Sequence, residues 1–229
     1  MKKVITFCLW GDNPNYNIGA IKNAELAKKY YPDFECWFYI HTKSVPKTTI
    51  DELLKLDNIK IIFKEGNIDS CKPMMWRFEA IDDPDVEIMM SRDTDTRIWE
   101  REVEAVNQWL QSDKLFHIMR DHPHHCNNIL GGMFGTKKNP SIKSWIELMD
   151  SVIQVGKRNY DQNFLAEHIY PIVVSDSLIH ASIHRRESHA IPFPTPYNEN
   201  FNFVGEYVYS DESRNHTNIQ QLKKAISIK

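Results

Sequence analysis

The sequence predicts an α/β domain with a mainly parallel, Rossmann-like central sheet flanked by helices. Three observations carry this. Short apolar runs at 4–9, 36–40, 59–63 and 86–90 alternate with helical stretches, the β-α-β-α order of a parallel sheet. The first run, 4–9, is continuously apolar, as a strand covered on both faces is. The 229 residues, 41 % hydrophobic, are enough to fill the core of one large domain.

The first strand, 4–9, exits into Trp10-Gly11-Asp12-Asn13-Pro14. A helix over 18–31 places Ile18, Ile21, Ala24, Ala27 and Tyr31 on one face, and Pro32 stops it. The second strand, 36–40, exits at His41-Thr42-Lys43. Thr49-Ile50-Asp51-Glu52 reads as a capping box that opens a short helix carrying Leu53, Leu54 and Leu56. A third strand, 59–63, and a short helix, 74–81, precede the turn Asp82-Asp83-Pro84 and the fourth strand, 86–90.

Beyond it, 100–110 is a helix with Val103, Val106, Trp109 and Leu110 apolar. A strand over 115–119 exits into Arg120-Asp121-His122-Pro123-His124-His125. Residues 129–135 read as a strand in which Gly131-Gly132 mark a bulge or the close approach of a ligand. A helix over 141–155 turns Ile142, Trp145, Ile146, Met149, Val152 and Ile153 inward, and another begins at Tyr160-Asp161-Gln162 and runs through His168. Residues 171–183 read as one or two strands, and the alternating prolines of 192–196 require an extended chain. From Ser210 the chain is polar, with Ile219, Leu222 and Ile226 spaced for a short amphipathic helix. No linker, repeat or low-complexity segment divides the chain, so one domain is expected.

A net charge of −3 gives no field to attract a nucleic-acid backbone. Cys8, Cys36, Cys71 and Cys126 are scattered with no Cys-x-x-Cys pair, which suits free thiols in a reducing compartment. No apolar run approaches the ~18 residues of a membrane span. The run at 4–9 is too short for a signal-peptide core, so a cytoplasmic protein is expected. There, the sequon Asn215-His216-Thr217 would be silent.

The chemistry centres on 86–97. An apolar strand leads through Ser91-Arg92 into Asp93-Thr94-Asp95. Open α/β sheets bind ligands at the carboxyl ends of their strands. Two carboxylates too close to ionise comfortably together invite a divalent cation, Mg²⁺ or Mn²⁺, against a diphosphate. Alternatively, Arg92 and Arg97 pair with these aspartates on a surface loop. The cluster His122, His124, His125 and Cys126 is too tightly bunched for the usual zinc spacing. An acceptor-side role suits His122 and His125 better.

Several blocks carry a resemblance. They are Leu9-Trp10-Gly11; Trp76-Arg77-Phe78; Ser91-Arg92-Asp93-Thr94-Asp95-Thr96-Arg97; Arg101-Glu102, Ala105-Val106 and Trp109-Leu110; Phe116-His117-Ile118-Met119-Arg120-Asp121-His122-Pro123 with His125; Gly131-Gly132-Met133-Phe134-Gly135; Asp161-Gln162 with Phe164-Leu165; and Phe203-Val204-Gly205-Glu206. In this order and spacing, over residues 4–207, the chain resembles the compact nucleotide-sugar glycosyltransferases of the GT-A fold. These occur in capsule and polysaccharide gene clusters and in some large viruses.

The resemblance implies a single GT-A domain over 1–229. Its nucleotide-binding half would be 1–97, its acceptor and sugar half 98–209, and 210–229 a polar tail. It implies a UDP- or GDP-sugar donor and a glycan or lipid-linked acceptor. Asp95 would hold the metal, and Asp93 the ribose and metal. Trp10, Gly11, Tyr16, His41 and Thr42 would face the nucleoside, and Gly131 and Gly132 the donor. Arg77 would meet the phosphates, unless it pairs with Glu79 or Asp82. Asp161-Gln162 would approach the donor sugar or the acceptor hydroxyl. Asp161 is thus a candidate base, though it could simply cap its helix. Asp121, kept ionised by Arg120, is the second candidate. Ser175-Asp176-Ser177 stands where a His-Asp-Ser would supply a third metal ligand, so Asp176, His180, His184 or water would serve. Lys223 and Lys224 in the tail would touch an anionic membrane, or the tail would pack as a helix on the body.

Two other readings compete. One is a haloacid-dehalogenase-like phosphatase with Asp93 as nucleophile and Asp95 as acid/base. The other is a non-catalytic nucleotide-sugar-binding protein.

Overall fold

The computed structural model describes residues 1–69, 72–152 and 160–227. Its strands are β1 (Lys2–Leu9), β2 (Phe34–His41), β3 (Ile59–Lys64), β4 (Val86–Ser91), β5 (Phe116–Arg120), β6 (Phe134–Lys137) and β7 (Ser177–Ala181). Its helices are α1 (Pro14–Tyr30), α2 (Lys47–Leu53), α3 (Glu100–Leu110), α4 (Trp145–Val152), α5 (Tyr160–Phe164), α6 (Tyr170–Val173) and α7 (His216–Ser227).

The strands form one sheet in the order β3-β2-β1-β4-β6-β5-β7. Every neighbouring pair is parallel except those of β6, which runs antiparallel to β4 and β5. The carboxyl ends of β1, β2, β4, β5 and β7 therefore share one edge. β1 explains the apolar run at its position. Val4 and Cys8 join a core with Trp76, Phe78, Trp145 and Phe164. Ile5, Phe7 and Leu9 join the other core, with Ala20, Ala24 and Ala27 of α1 and Val106 and Trp109 of α3. Each such fully buried large side chain stabilises the fold by about 1.5–3 kcal/mol.

The structure departs from the sequence expectations where polar groups decide local geometry. α1 starts at Pro14, because Asn13 caps it by accepting from the Asn15 N–H (3.0 Å). Its buried face holds Asn17, Gly19, Ala20, Asn23, Ala24 and Ala27, whereas Ile18 is exposed. The supposed capping box fails. α2 begins two residues earlier, at Lys47, and Thr49 lies inside its first turn. Residues Lys72–Asp82 form successive 3-10 turns. Asp82 accepts from the main-chain N–H groups of Trp145 (2.9 Å) and Ile146 (2.8 Å), so α4 opens at Trp145. The expected continuation of this helix to Val155 lies beyond residue 152, outside the described residues. The strand expected over 129–135 begins only at Phe134, leaving both glycines in the preceding loop. Helical turns run on from α5 through Asp176, so β7 is the single strand of 171–183. Pro171 lies inside this run, directly after the wider turn at Leu165–Ile169, where the chain already departs from the regular α-helical bonding pattern.

The C-terminal segment is docked, not a free tail. Asn215 of the sequon accepts from the Thr217 N–H (3.0 Å) and the Asn218 N–H (3.3 Å), capping α7. Ile219 and Leu222 are buried against the body, so this helix has no free apolar face for a membrane. No helix among the described residues is long and apolar enough to cross one. Cys8, Cys36 and Cys126 are free thiols.

Candidate active site

β1 and β4 are adjacent and parallel with Thr6 level with Ser91, so their carboxyl ends bring Cys8-Leu9-Trp10 and the Asp93-Thr94-Asp95 loop to one cavity. The loop after β4 is held from three sides. From α1, the Asn23 amide donates to the main-chain oxygens of Thr94 (3.2 Å) and Thr96 (2.8 Å), with a longer contact to Asp93 (3.5 Å). Gly19 lets α1 approach so closely that a Cβ there would overlap the Thr94 carbonyl. From the C-terminal segment, the Val208 N–H donates to the Asp95 carbonyl (2.9 Å). Arg92 and Arg97 turn away from the aspartates. Arg92 pairs with Glu102 (2.7 Å) and Arg97 with Glu212 (2.6 Å). Both braces are built, and the Asp93 and Asp95 carboxylates stay free of them.

Arg77, buried on the 3-10 segment, links three parts of the site. One guanidinium nitrogen donates to the Arg92 carbonyl (2.9 Å) and pairs closely with Asp93; the other reaches Asp161 (3.3 Å). Neither alternative partner holds it: Glu79 pairs with Lys64 (2.7 Å), and Asp82 caps α4. Gly131 and Gly132 lean on this cluster. A Cβ on Gly131 would overlap Asp161 and lie 2.7 Å from Arg77, and one on Gly132 would overlap the Asp93 carboxylate. The close approach read from the glycine pair is thus by the site's own carboxylates.

These groups line a cavity of about 540 Å³, with Trp10, Tyr16, Arg77, Asp93, Asp95, Gly131, Asp161 and Gln162 among its walls. Three carboxylates face one guanidinium. Burial, and then the Asp93 charge, push the Asp95 carboxyl up to about 7. No other side chain among the described residues is hydrogen-bonded or ion-paired with it. Burial also raises Asp161, against the opposing pull of Arg77. This excess of close carboxylate charge is the condition under which a divalent cation binds, so Asp93 and Asp95 fit Mg²⁺ or Mn²⁺. Among the described residues, no set of three His, Cys, Asp or Glu side chains gathers as a metal cage. Mg²⁺ is commonly held by one or two carboxylates plus substrate phosphates and water.

Several expected site residues lie elsewhere. Asp121 is fully buried and saturated. It pairs with Arg101 (2.9 and 3.0 Å) and accepts from Ser182 (2.5 Å), Tyr197 (2.7 Å) and the Val204 N–H (3.0 Å). It ties residues 182–204 to β5 and has no oxygen left for a substrate proton. Arg120, its expected partner, pairs with Glu187 (2.6 Å). Asp176 precedes β7, at the sheet edge opposite the site, with Lys114 at 3.8 Å, so it is no metal ligand. His41 and Gly11 meet behind the cavity. The Gly11 N–H donates to Ser44 (2.8 Å), whose hydroxyl bonds His41 Nδ1 (2.8 Å). Thr42 donates to the Lys64 carbonyl (3.0 Å). His180 lies in the core against His117 (2.8 Å), and His184 bonds the Pro123 carbonyl (2.7 Å). His122 bonds the Asn218 carbonyl of α7 (2.9 Å), so of the histidine run only His125 reaches the cavity.

The sequence reading missed Cys8, Met74, Leu130 and Met133, which complete the cavity wall, and Asn23. Asn23 was legible in principle. The spacing Asn17, Ala20, Asn23, Ala27 puts two amides on the buried face of α1, where they must find partners.

No family profile and no curated protein matches the sequence. Solved structures do match its fold. The galactosyltransferase LgtC, in complex with donor and acceptor sugar analogues, is 10 % identical over 98 % of this chain and 95 % of its own, with a TM-score of 0.51. A 4-diphosphocytidyl-2C-methyl-D-erythritol synthase from Anaerococcus prevotii is 12 % identical over 85 % of this chain and 91 % of its own, TM-score 0.51. A Bacillus anthracis protein assigned as a glucose-1-phosphate thymidylyltransferase, with sucrose bound, is 9 % identical over 99 % and 95 %, TM-score 0.50. The chain has the GT-A, Rossmann-like fold.

Proposed function

We propose that this protein is a divalent-cation-dependent glycosyltransferase. It would move a sugar from a nucleoside-diphosphate donor, UDP or GDP, to a hydroxyl of a glycan or lipid-linked acceptor. The observation that carries this is the Asp93/Asp95 pair, presented into the cavity at the carboxyl end of β4, in which Arg77 meets only Asp93 and no side chain among the described residues pairs with Asp95. The GT-A fold agrees with it.

Trp10 and Tyr16 would receive the nucleoside, beside the β1 exit. Asp93 and Asp95 would hold Mn²⁺ or Mg²⁺, which supplies Lewis-acid stabilisation to the charge of a departing nucleoside diphosphate. Arg77 does not clamp phosphate, because its terminal nitrogens are engaged by Asp93, Asp161 and the Arg92 carbonyl. It fixes the spacing between the two carboxylates. Asp161 would accept from a sugar or acceptor hydroxyl, and its raised proton affinity suits a base better than an exposed aspartate would. Gln162 would donate its amide nitrogen, since its oxygen already accepts from Asn127.

The same fold likeness admits nucleotidyl transfer. That reaction brings a triphosphate, whereas the cavity wall holds only the engaged Arg77 as a fixed positive charge among the described residues. A phosphatase reading needs a free Asp93 nucleophile, but Arg77 pairs with one of its oxygens and holds the carboxylate as an ion-pair partner. The test is product analysis with UDP- and GDP-sugars, Mn²⁺ and glycan acceptors. Release of UDP or GDP with sugar transfer supports the proposal. Pyrophosphate release from a nucleoside triphosphate and sugar phosphate favours nucleotidyl transfer, and binding without turnover favours a non-catalytic binder.

A further inference from the structure

We propose that His125 is a tautomerically fixed hydrogen-bond donor that reads a sugar hydroxyl at the β5 end of the cavity. This rests on the glycosyl-transfer reading above. β5 ends at Arg120, and the turn that follows brings the His125 imidazole back to the strand's exit. The main-chain N–H of Asp121 donates to His125 Nδ1 (3.1 Å). An amide N–H can only donate, so Nδ1 is the acceptor and the ring proton sits on Nε2. Nε2 has no partner among the described residues, while His125 lines the cavity.

The turn is rigid. The His125 N–H donates to the His122 carbonyl (2.9 Å), and the Asp121 side chain is locked by Arg101. A ring nitrogen that carries a proton does not ligate a metal. His125 is therefore no third ligand for the Asp93/Asp95 cation; it offers one directed N–H to a ligand oxygen.

The sheet order says which oxygen. β6 lies between β4 and β5, so the β5 exit is about 10 Å from the β4 exit, on the side away from β1. With the nucleoside over β1 and the diphosphate at Asp93 and Asp95, this end is left for the donor's sugar or the acceptor. Leu130, Met133 and Gly205 offer apolar surface in the same cavity, which suits the C–H faces of a pyranose.

The test uses protein labelled with ¹⁵N-histidine and ¹⁵N-tryptophan, the His125 and Trp10 signals being assigned by their loss in His125→Asn and Trp10→Phe. The expected long-range ¹H–¹⁵N pattern at pH 7 is a neutral ring protonated on Nε2. UDP or GDP with Mg²⁺ leaves these signals in place. UDP-glucose, UDP-galactose or GDP-mannose shifts them if the hydroxyl belongs to the donor. Methyl glycosides added to the nucleotide-bound protein shift them if it belongs to the acceptor. Either result supports the inference, and His125→Asn then weakens that sugar's binding about tenfold at unchanged affinity for the bare nucleotide. A proton on Nδ1 overturns it, as do sugars that move the Trp10 indole signal but not His125. If no nucleotide moves any signal, the glycosyl-transfer reading has failed first, and this inference falls with it.

Discussion

In the proposed site, Asp95 would couple cation binding to pH. Its carboxyl is pushed up to about 7 in the folded protein by burial and the Asp93 charge, against about 3.9 unfolded. The folded state therefore keeps this proton through an interval in which the unfolded state has lost it. Stability from this group is greatest below about pH 4 and is lost as pH rises to about 7. Asp95→Asn is expected to flatten that loss, measured by urea unfolding of the metal-free protein at pH 5 and pH 8. An unchanged slope would contradict the assignment. A bound cation would displace the same proton, so Mn²⁺ affinity should rise with pH up to about 7 and level off above it. Gly131→Ala tests the packing: its Cβ would displace Asp161 or Arg77, costing about 1–3 kcal/mol of stability and at least tenfold in turnover. At this scale the sequence was informative where side-chain type alone fixes the chemistry, as at Asp93 and Asp95. It was misleading at Asp121 and Asp176, because a carboxylate's partners are set by distant segments. Nothing near Asp121 in sequence announces Tyr197 or Val204.

Among the elements, α1 does more than cover the sheet. Asn23 holds the main chain of the Asp-Thr-Asp loop with one amide group. Asn23→Ala would leave those carbonyls short of a donor. It should cost about 1–3 kcal/mol and raise the Mn²⁺ concentration for half-maximal activity more than it lowers the maximal rate. An equal loss at saturating Mn²⁺ would mean the residue serves folding alone. The β5–β7 pair carries a second titrating device. His117 and His180 bond each other at 2.8 Å inside the core. Burial is the first cause of a lowered proton affinity in both; the neighbouring His180 adds to it at His117 and Arg101 at His180, which falls to about 4. Both stay neutral when folded, so their contribution is complete above about pH 6.5 and is lost as pH falls towards 4. Chemical denaturation of Asp95→Asn, which removes the opposing carboxylate effect, should show this acid loss plainly; a flat profile from pH 4 to 6.5 would contradict it. Apolar runs gave β1 and β2 away in the sequence because strands buried on both faces leave a continuous signature, and β3, half-exposed at the sheet edge, still showed Ile59, Ile61 and Ile62. The glycine loop, α5 to α6 and the start of α4 were misread because packing and capping by remote residues set them.

On the scale of the whole molecule, the chain closes on itself at the site. The segment after Gly205 returns to the Asp-Thr-Asp loop through Val208 and Glu212, and α7 then anchors His122 through the Asn218 carbonyl. The spacing of Ile219, Leu222 and Ile226 showed the packed helix in the sequence, but it carries no signal for where that helix docks. Deleting residues 216–227 would expose the surface covered by Ile219 and Leu222 and should lower the melting temperature by roughly 5–10 °C. Under the proposed function, Asp93 and Asp95 bind a nucleoside diphosphate through a divalent cation. Thermal unfolding of the wild type and Asp95→Asn with UDP, GDP and their sugars, with and without Mn²⁺, tests it most directly. A ligand at a hundred times its Kd stabilises by about 2.7 kcal/mol, roughly 5–10 °C here. The expected result is a shift from one nucleotide only when Mn²⁺ is present, and its loss in Asp95→Asn. A shift of equal size without metal or in the variant, or none from any nucleotide, would contradict it.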